Sequence, residues 1–185
     1  MTPSEWTIRE AIQSNILAAD SIGVVWLGFI LDVLIGNNAN ALKPESGTDI
    51  GKIHGWMIGD PSEGNKRKTP VRPDDDDSAG NMTNWKVDTT LTYPIWFLHY
   101  YNHGNAATGE NTHKLFSTIR DAVVTRFTNR PRLAIAGITC GGINQVYKHG
   151  EMQAQNRPEI VSMGDEWAHW VAYELTVDLY RTPAG

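Results

Sequence analysis

Residues 167–180 read Trp167-Ala168-His169-Trp170-Val171-Ala172-Tyr173-Glu174-Leu175-Thr176-Val177-Asp178-Leu179-Tyr180. The odd positions are Trp167, His169, Val171, Tyr173, Leu175, Val177 and Leu179, while the even ones include Glu174, Thr176 and Asp178. A period of two with one apolar face specifies a half-buried strand. At about 3.4 Å per residue this strand is more than about 40 Å long, well beyond the usual length of roughly five or six residues. Part of it is therefore expected to lie outside the core of one subunit, where a neighbouring copy would cover it.

The preceding segments carry equally clear patterns. Val87, Thr89, Leu91, Tyr93, Ile95 and Phe97 alternate with Lys86, Asp88, Thr90 and Thr92, a second long strand whose Pro94 implies an edge position or a bulge. A helix is predicted over 112–128, with Leu115, Phe116, Ile119, Ala122, Val123 and Phe127 on one face and Asn129-Arg130-Pro131 as its stop. A third strand is expected over 143–151, joined to the last by a polar connection at 153–164. At the N-terminus Thr2 reads as N-cap, Pro3 as the first helical residue and Glu5 as the closure of a capping box. Ile8, Ala11, Ile12, Ile16 and Ala19 then follow on one helical face. The run from Val24 to Leu31 reads as a strand buried on both faces, with a helix as the alternative that periodicity alone leaves open.

Between these patterned ends, residues 36–84 contain glycines at 36, 47, 51, 55, 59, 64 and 80 and prolines at 44, 61, 70 and 73. The segment also carries two opposed charge blocks, Lys66-Arg67-Lys68 and Asp74-Asp75-Asp76-Asp77. Such a stretch buries too little apolar surface to offset its chain entropy. It is expected to form an extended loop inserted into a single domain spanning 1–185, with a short ordered piece around Ile53 to Ile58.

Bulk properties narrow the function. A length of 185 residues suits one domain with one core. A net charge of -5 argues against non-specific nucleic-acid binding, which needs clustered Lys and Arg. The single cysteine, Cys140, forms no internal disulfide. Residues 1–5 lack the basic start of a signal peptide, and the apolar run at 24–35 is too short to span a membrane, so no membrane association is expected.

No chemistry-bearing constellation stands out. His99 and His103 straddle a strand end, where positions four apart are about 13 Å separated, so both read as hydrogen-bonded structural histidines. His169, between Trp167 and Trp170, reads as packing at an interface. Cys140 in Thr139-Cys140-Gly141-Gly142 has no electropositive neighbour to activate it, and the glycine pair lacks the Lys-Ser/Thr of a phosphate loop. Asp74 to Asp77 lack the alternation of a calcium loop; an acidic tip facing a channel would instead repel phosphate. Catalytic, metal and cofactor sites are accordingly not expected. The candidate assembly contacts are Lys66, Arg67, Lys68, Asp74, Asp75, Asp76, Asp77, Trp167 and Trp170, because tryptophan is enriched where partners exclude water.

The order of elements resembles that of the tail terminator proteins of tailed bacteriophages. The likeness is carried by the Leu-Phe-x-x-Ile-Arg-Asp-Ala-Val pattern starting at Leu115, by Asn129-Arg130-Pro131-Arg132-Leu133, and by the closing Ala172-Tyr173-Glu174-Leu175-Thr176-Val177. It covers residues 8–35 and 85–180. The resemblance implies an α/β (α+β) domain with a mostly antiparallel sheet and helices on one face, assembling into a homohexameric ring. That ring would cap the tail tube, end its polymerisation and join it to the head-completion (neck) protein, with a terminal sheath protein as a further partner. DNA would pass through its lumen without specific binding. Its place would be the virion tail and neck, after assembly in the host cytoplasm. Another head–tail joining or tube protein is the alternative, and a small enzyme or ligand-binding domain comes third.

Overall fold

The computed structural model describes residues 4–21, 23–28, 39–44, 52–70, 85–102, 104–129, 133, 148–154, 158–163 and 165–181. Helix α1 spans Glu5–Leu17 and is capped by Ser4, whose side chain accepts the Thr7 N–H at 3.1 Å. The cap therefore falls two residues later than the Thr2-Pro3 reading, because Ser4 already places a hydroxyl oxygen on that early amide. The buried stripe is the expected one: Ile8, Ala11, Ile12 and Ile16.

One mixed, mostly antiparallel sheet follows, built from β1 (Val24–Trp26), β2 (His54–Ile58), β3 (Ser62–Pro70), β4 (Trp85–Tyr100), β5 (Lys148–Ala154), β6 (Glu159–Met163) and β7 (Glu166–Arg181). Its spine is the β4–β7 pair, antiparallel and without a register shift from Val87↔Arg181 to Tyr100↔Ala168. Each spine strand has two shorter strands along its outer side. β2 and β3 both run antiparallel to β4, and β5 and β6 both run antiparallel to β7. β1 adds the one parallel pairing, beside β2.

Pro94 lies in the middle of β4, flanked on both sides, yet causes no conflict. Its carbonyl accepts from the Gly59 N–H at 2.8 Å, so its missing donor faces the bend between β2 and β3, where the ladder is already interrupted. The expected edge position or bulge at Pro94 is therefore absent: Pro94 pairs in register with Glu174, and the register shift lies in β3 between Glu63 and Lys66. Gly59 is required at the bend, since a Cβ would come within 2.8 Å of the Trp96 ring and 2.9 Å of the Pro94 ring.

Several expectations are corrected. Lys66, Arg67 and Lys68 lie in strand β3, paired with Thr89, Asp88 and Val87, and not in a loop. Among the described residues, Gly55, Gly59, Pro61, Gly64 and Pro70 fall within or between strands β2 and β3. The strand expected from Val24 is only three residues long, with Trp26 exposed, because it is a sheet edge and not a buried centre. Residues 153–164 include β6, whose polar outward positions hid an edge strand. The expected strand at 143–151 is described only from Lys148, where β5 begins.

Helix α2 spans Ala106–Asn129 and starts before the predicted 112–128. Asn105 and Thr108 cap it reciprocally: the Thr108 N–H donates to Asn105 Oδ1 at 3.0 Å and the Asn105 N–H to Thr108 Oγ1 at 3.2 Å. Its buried stripe is Phe116, Val123 and Phe127, with Ile119 and Val124 half-buried. Leu115 and Ala122, expected on that face, are exposed, so the stripe is narrower than the pattern suggested.

α1 and α2 both contribute to the core on one sheet face, with Trp56, Ile58, Leu91, Tyr93, Ile95, Phe97, Val171, Tyr173, Leu175 and Val177 beneath them. Phe97 is stacked between Trp56 and Phe116, with ring centroids 4.0 and 5.1 Å away and planes within 8°. The opposite face carries a smaller core of Leu42, Ile53, Met57, Leu98, Met163 and Ala168 beside a 3₁₀ turn, Ala39–Leu42. The fold is therefore α+β, with both helices on one face as expected. No described helix is long and apolar enough to cross a membrane.

Phe116 and Phe127 are buried to within 1%. Phe116→Ala or Phe127→Ala should lower unfolding stability by about 3–5 kcal/mol, read from urea denaturation. An unchanged midpoint would remove α2 from the core.

Candidate functional site

The β-ladders bring three histidines into one row. His54 of β2 pairs with His99 of β4, and His99 pairs with His169 of β7. Directly paired residues project to the same face, so all three imidazoles lie on the helix-covered side. They are buried, at 0%, 1% and 2% exposure.

One end of the row is anchored by Asp20, which follows α1 and is 2% exposed. His54 Nε2 lies 2.9 Å from both Asp20 carboxylate oxygens, and the Trp56 indole N–H donates to Asp20 Oδ2 at 2.8 Å. Burial alone would raise the Asp20 pKa; hydrogen bonds from His54, Trp56 and the Gly23 backbone, with the charge attraction of His54, hold it below the ordinary carboxylate value. On its far side His54 Nδ1 meets His99 Nδ1 at 2.7 Å.

The other end is aromatic. His169 packs against Phe116 at 5.0 Å, Tyr101 at 5.0 Å and His113 at 5.2 Å between ring centroids. Its Nε2 has no hydrogen-bond partner among the described residues. Burial, with repulsion from His113, lowers its pKa to about 4. His169 is therefore a neutral ring inside the subunit, which corrects its reading as an interface residue.

Arg9 forms a second buried charge. It is 4% exposed, donates to the Leu27 carbonyl at 2.8 Å and pairs with Glu5 and Asp60. Burial works against its positive charge, but the hydrogen bonds it donates to Asp60 and Glu5, with the charge attraction of both, win and raise its pKa. It ties α1 to the chain after β1 and to the bend after β2.

The sequence-derived candidates are scattered relative to these groups. Trp167 is 43% exposed, opposite Ser162 on the β6–β7 hairpin. Trp170 is half-buried on the other sheet face, lining an apolar groove of about 200 Å³ with Leu98, Val161, Ser162 and Met163. Lys66, Arg67 and Lys68 are together in β3. Asp74, Asp75, Asp76 and Asp77 lie outside the described residues, as do His103 and Cys140.

Spacing along the chain gave no hint of the histidine row, because cross-strand register alone makes the three residues neighbours. The arrangement can hold charge and protons, yet it offers no nucleophile. Among the described residues no group of three or more His, Cys, Asp or Glu is placed to hold a metal ion. Comparison with protein-family models gives no match, and comparison with curated proteins gives none.

Two outcomes follow. The lowered His169 pKa means that the unfolded chain binds more protons between about pH 6.5 and 4, so stability should fall as pH drops through that window. His169→Phe should flatten this acid limb, measured as the urea midpoint against pH; an unaltered limb would exclude His169 as its source. A Cβ on Gly23 would sit 2.5 Å from Asp20 Oδ2. Gly23→Ala should therefore cost about 1–3 kcal/mol, read by thermal unfolding.

Proposed function

We propose that this protein is a structural virion subunit, a tail terminator that closes into a homohexameric ring on the phage tail tube and presents its other side to the neck. The observation that carries this reading is the length of the β4–β7 spine. The pairing runs without a break from Val87↔Arg181 to Tyr100↔Ala168, and β3 accompanies β4 to the pair Pro70↔Trp85. Each spine strand has 16 residues, about 50 Å of chain, against the usual roughly five or six residues. Strands of this length suit packing against a neighbouring copy, and repetition of one heterologous contact closes a ring.

Surface composition supports the same reading. Trp6, Trp26 and Trp167 are 55%, 43% and 43% exposed, and desolvated tryptophans are frequent anchors of protein interfaces. Lys66, Arg67 and Lys68 lie in β3, and Asp74 to Asp77 fall in the segment joining β3 to β4. Both blocks are suited to ionic docking on tube, neck or terminal sheath subunits, while the net charge of -5 suits a lumen through which DNA slides unbound.

Light scattering and negative-stain microscopy, with and without tube protein, test the proposal. A ring with a central hole that binds tube ends and stops their growth is expected. A monomer under both conditions would overturn it, and a ring that elongates into tubes would make the chain a tube protein. Replacing Lys66, Arg67 and Lys68 together by Glu should weaken docking at low salt. The difference should vanish at 1 M salt, where the Debye length is about 3 Å.

A further inference from the structure

The Asp20–His54–His99 cluster poses a charge-balance problem that its geometry answers. Asp20 is ionised and buried, so His54 must donate its Nε2–H to it. His54 Nδ1 then faces His99 Nδ1 at 2.7 Å, a contact that requires one proton between the two nitrogens. That proton can belong to His99, leaving two neutral imidazoles and an uncompensated buried carboxylate. Alternatively, His54 carries protons on both nitrogens, one donated to Asp20 and one to His99, and the cluster is neutral overall.

We infer that the second arrangement is the resident one: Asp20, His54 and His99 form a buried proton-binding site, an imidazolium shared between two Nδ1 atoms with a carboxylate as its counter-ion. A buried carboxylate without a cation is expensive, whereas a buried pair whose hydrogen bonds are all made is tolerated. The surroundings offer Asp20 no other cation among the described residues. Arg9 of α1 is committed to Glu5 and Asp60. From α2, His113 faces His169, and Arg120 with Asp121 acts on Tyr173. Just before β2, Lys52 lies over the ring of Tyr100 of β4. From β7, His169 stacks 6.4 Å from His99 and favours its neutral form, while Tyr101 meets His169 edge-on. Trp56 of β2 adds a donor to Asp20 without charge.

The bound proton joins the residue after α1 to β2 and β4, and without it an unbalanced carboxylate would lie under the helices.

Nitrogen-15 NMR of the full-length protein tests the site directly. At pH 8 the expected pattern is a low-field proton between the two Nδ1 atoms, with His54 Nε2 protonated and His54 and His99 sharing imidazolium character. A spectrum of two neutral tautomers, with a bare Nδ1 on His54 and Nδ1–H on His99, would overturn the inference. Asp20→Asn should abolish the pattern at pH 8; its persistence in the folded variant would exclude Asp20 as counter-ion. The wild-type spectrum decides the first point whether or not the variant folds.

Discussion

The β4–β7 register is the constraint from which the remainder of the structure follows. Each residue from Val87 to Tyr100 has one fixed partner, and a slip of a single position would turn one whole strand over. With the observed register, Tyr93, Ile95 and Phe97 lie among Val171, Tyr173 and Leu175 on the helix side. Slipped by one, the exposed Glu174 would enter the core in place of Tyr173 or Leu175. The shorter strands inherit this registration. β2 pairs with the stretch of β4 nearest its C-terminal end, β3 with the remainder, and the interruption between them falls at Pro94, where no donor is available.

Buried polarity is concentrated where the helices leave and rejoin the sheet. Asp20 draws three donors toward the end of α1, and Arg9 fixes its start to Leu27 and Asp60. These contacts are directional, whereas the apolar stripe of Ile8, Ile12 and Ile16 is not. The stripe supplies the larger share of favourable free energy, and the polar contacts select one docking angle for the helix. Tyr93 and Tyr173 show the opposite choice. Both hydroxyls are buried without a hydrogen-bond partner among the described residues, and burial raises both phenol pKa values. Their rings contribute apolar area to the core at the expense of an unmade bond.

What was legible in the sequence follows the range of the interactions. Period-two alternation exposed β4 and β7, and helical spacing exposed α1 and most of α2, because side-chain periodicity reports which face is dry. β3 and β6 were hidden, since an edge strand with polar neighbours has no such contrast, and Gly59, Gly64 and Pro61 imitate a loop. The start of α2 was missed because Asn105 and Thr108 cap it with side chains less familiar than Ser and Glu. The histidine row was illegible for a different reason. His54, His99 and His169 belong to different strands, and only the two ladders place them side by side. Trp167 and Trp170 are three apart on β7 and so project to opposite faces; Trp167 is exposed, whereas Trp170 leans on the second small core.

That second face limits how a ring could be built. Near the β6–β7 hairpin it is apolar, with Leu98 opposite Trp170 and Trp96 opposite Ala172. Farther along the spine it becomes polar: Pro94 opposes Glu174, Thr92 opposes Thr176 and Thr90 opposes Asp178. Glu174 is exposed, and Thr90, Thr92 and Thr176 are only half-buried. If the subunits close into a ring as proposed, desolvating this threonine and carboxylate stretch would forfeit hydration without an apolar gain. The apolar end, with its groove beside Trp170, loses nothing by being covered. Subunit contacts in such a ring are thus favoured at the hairpin end, and the polar stretch of the open face is left to water.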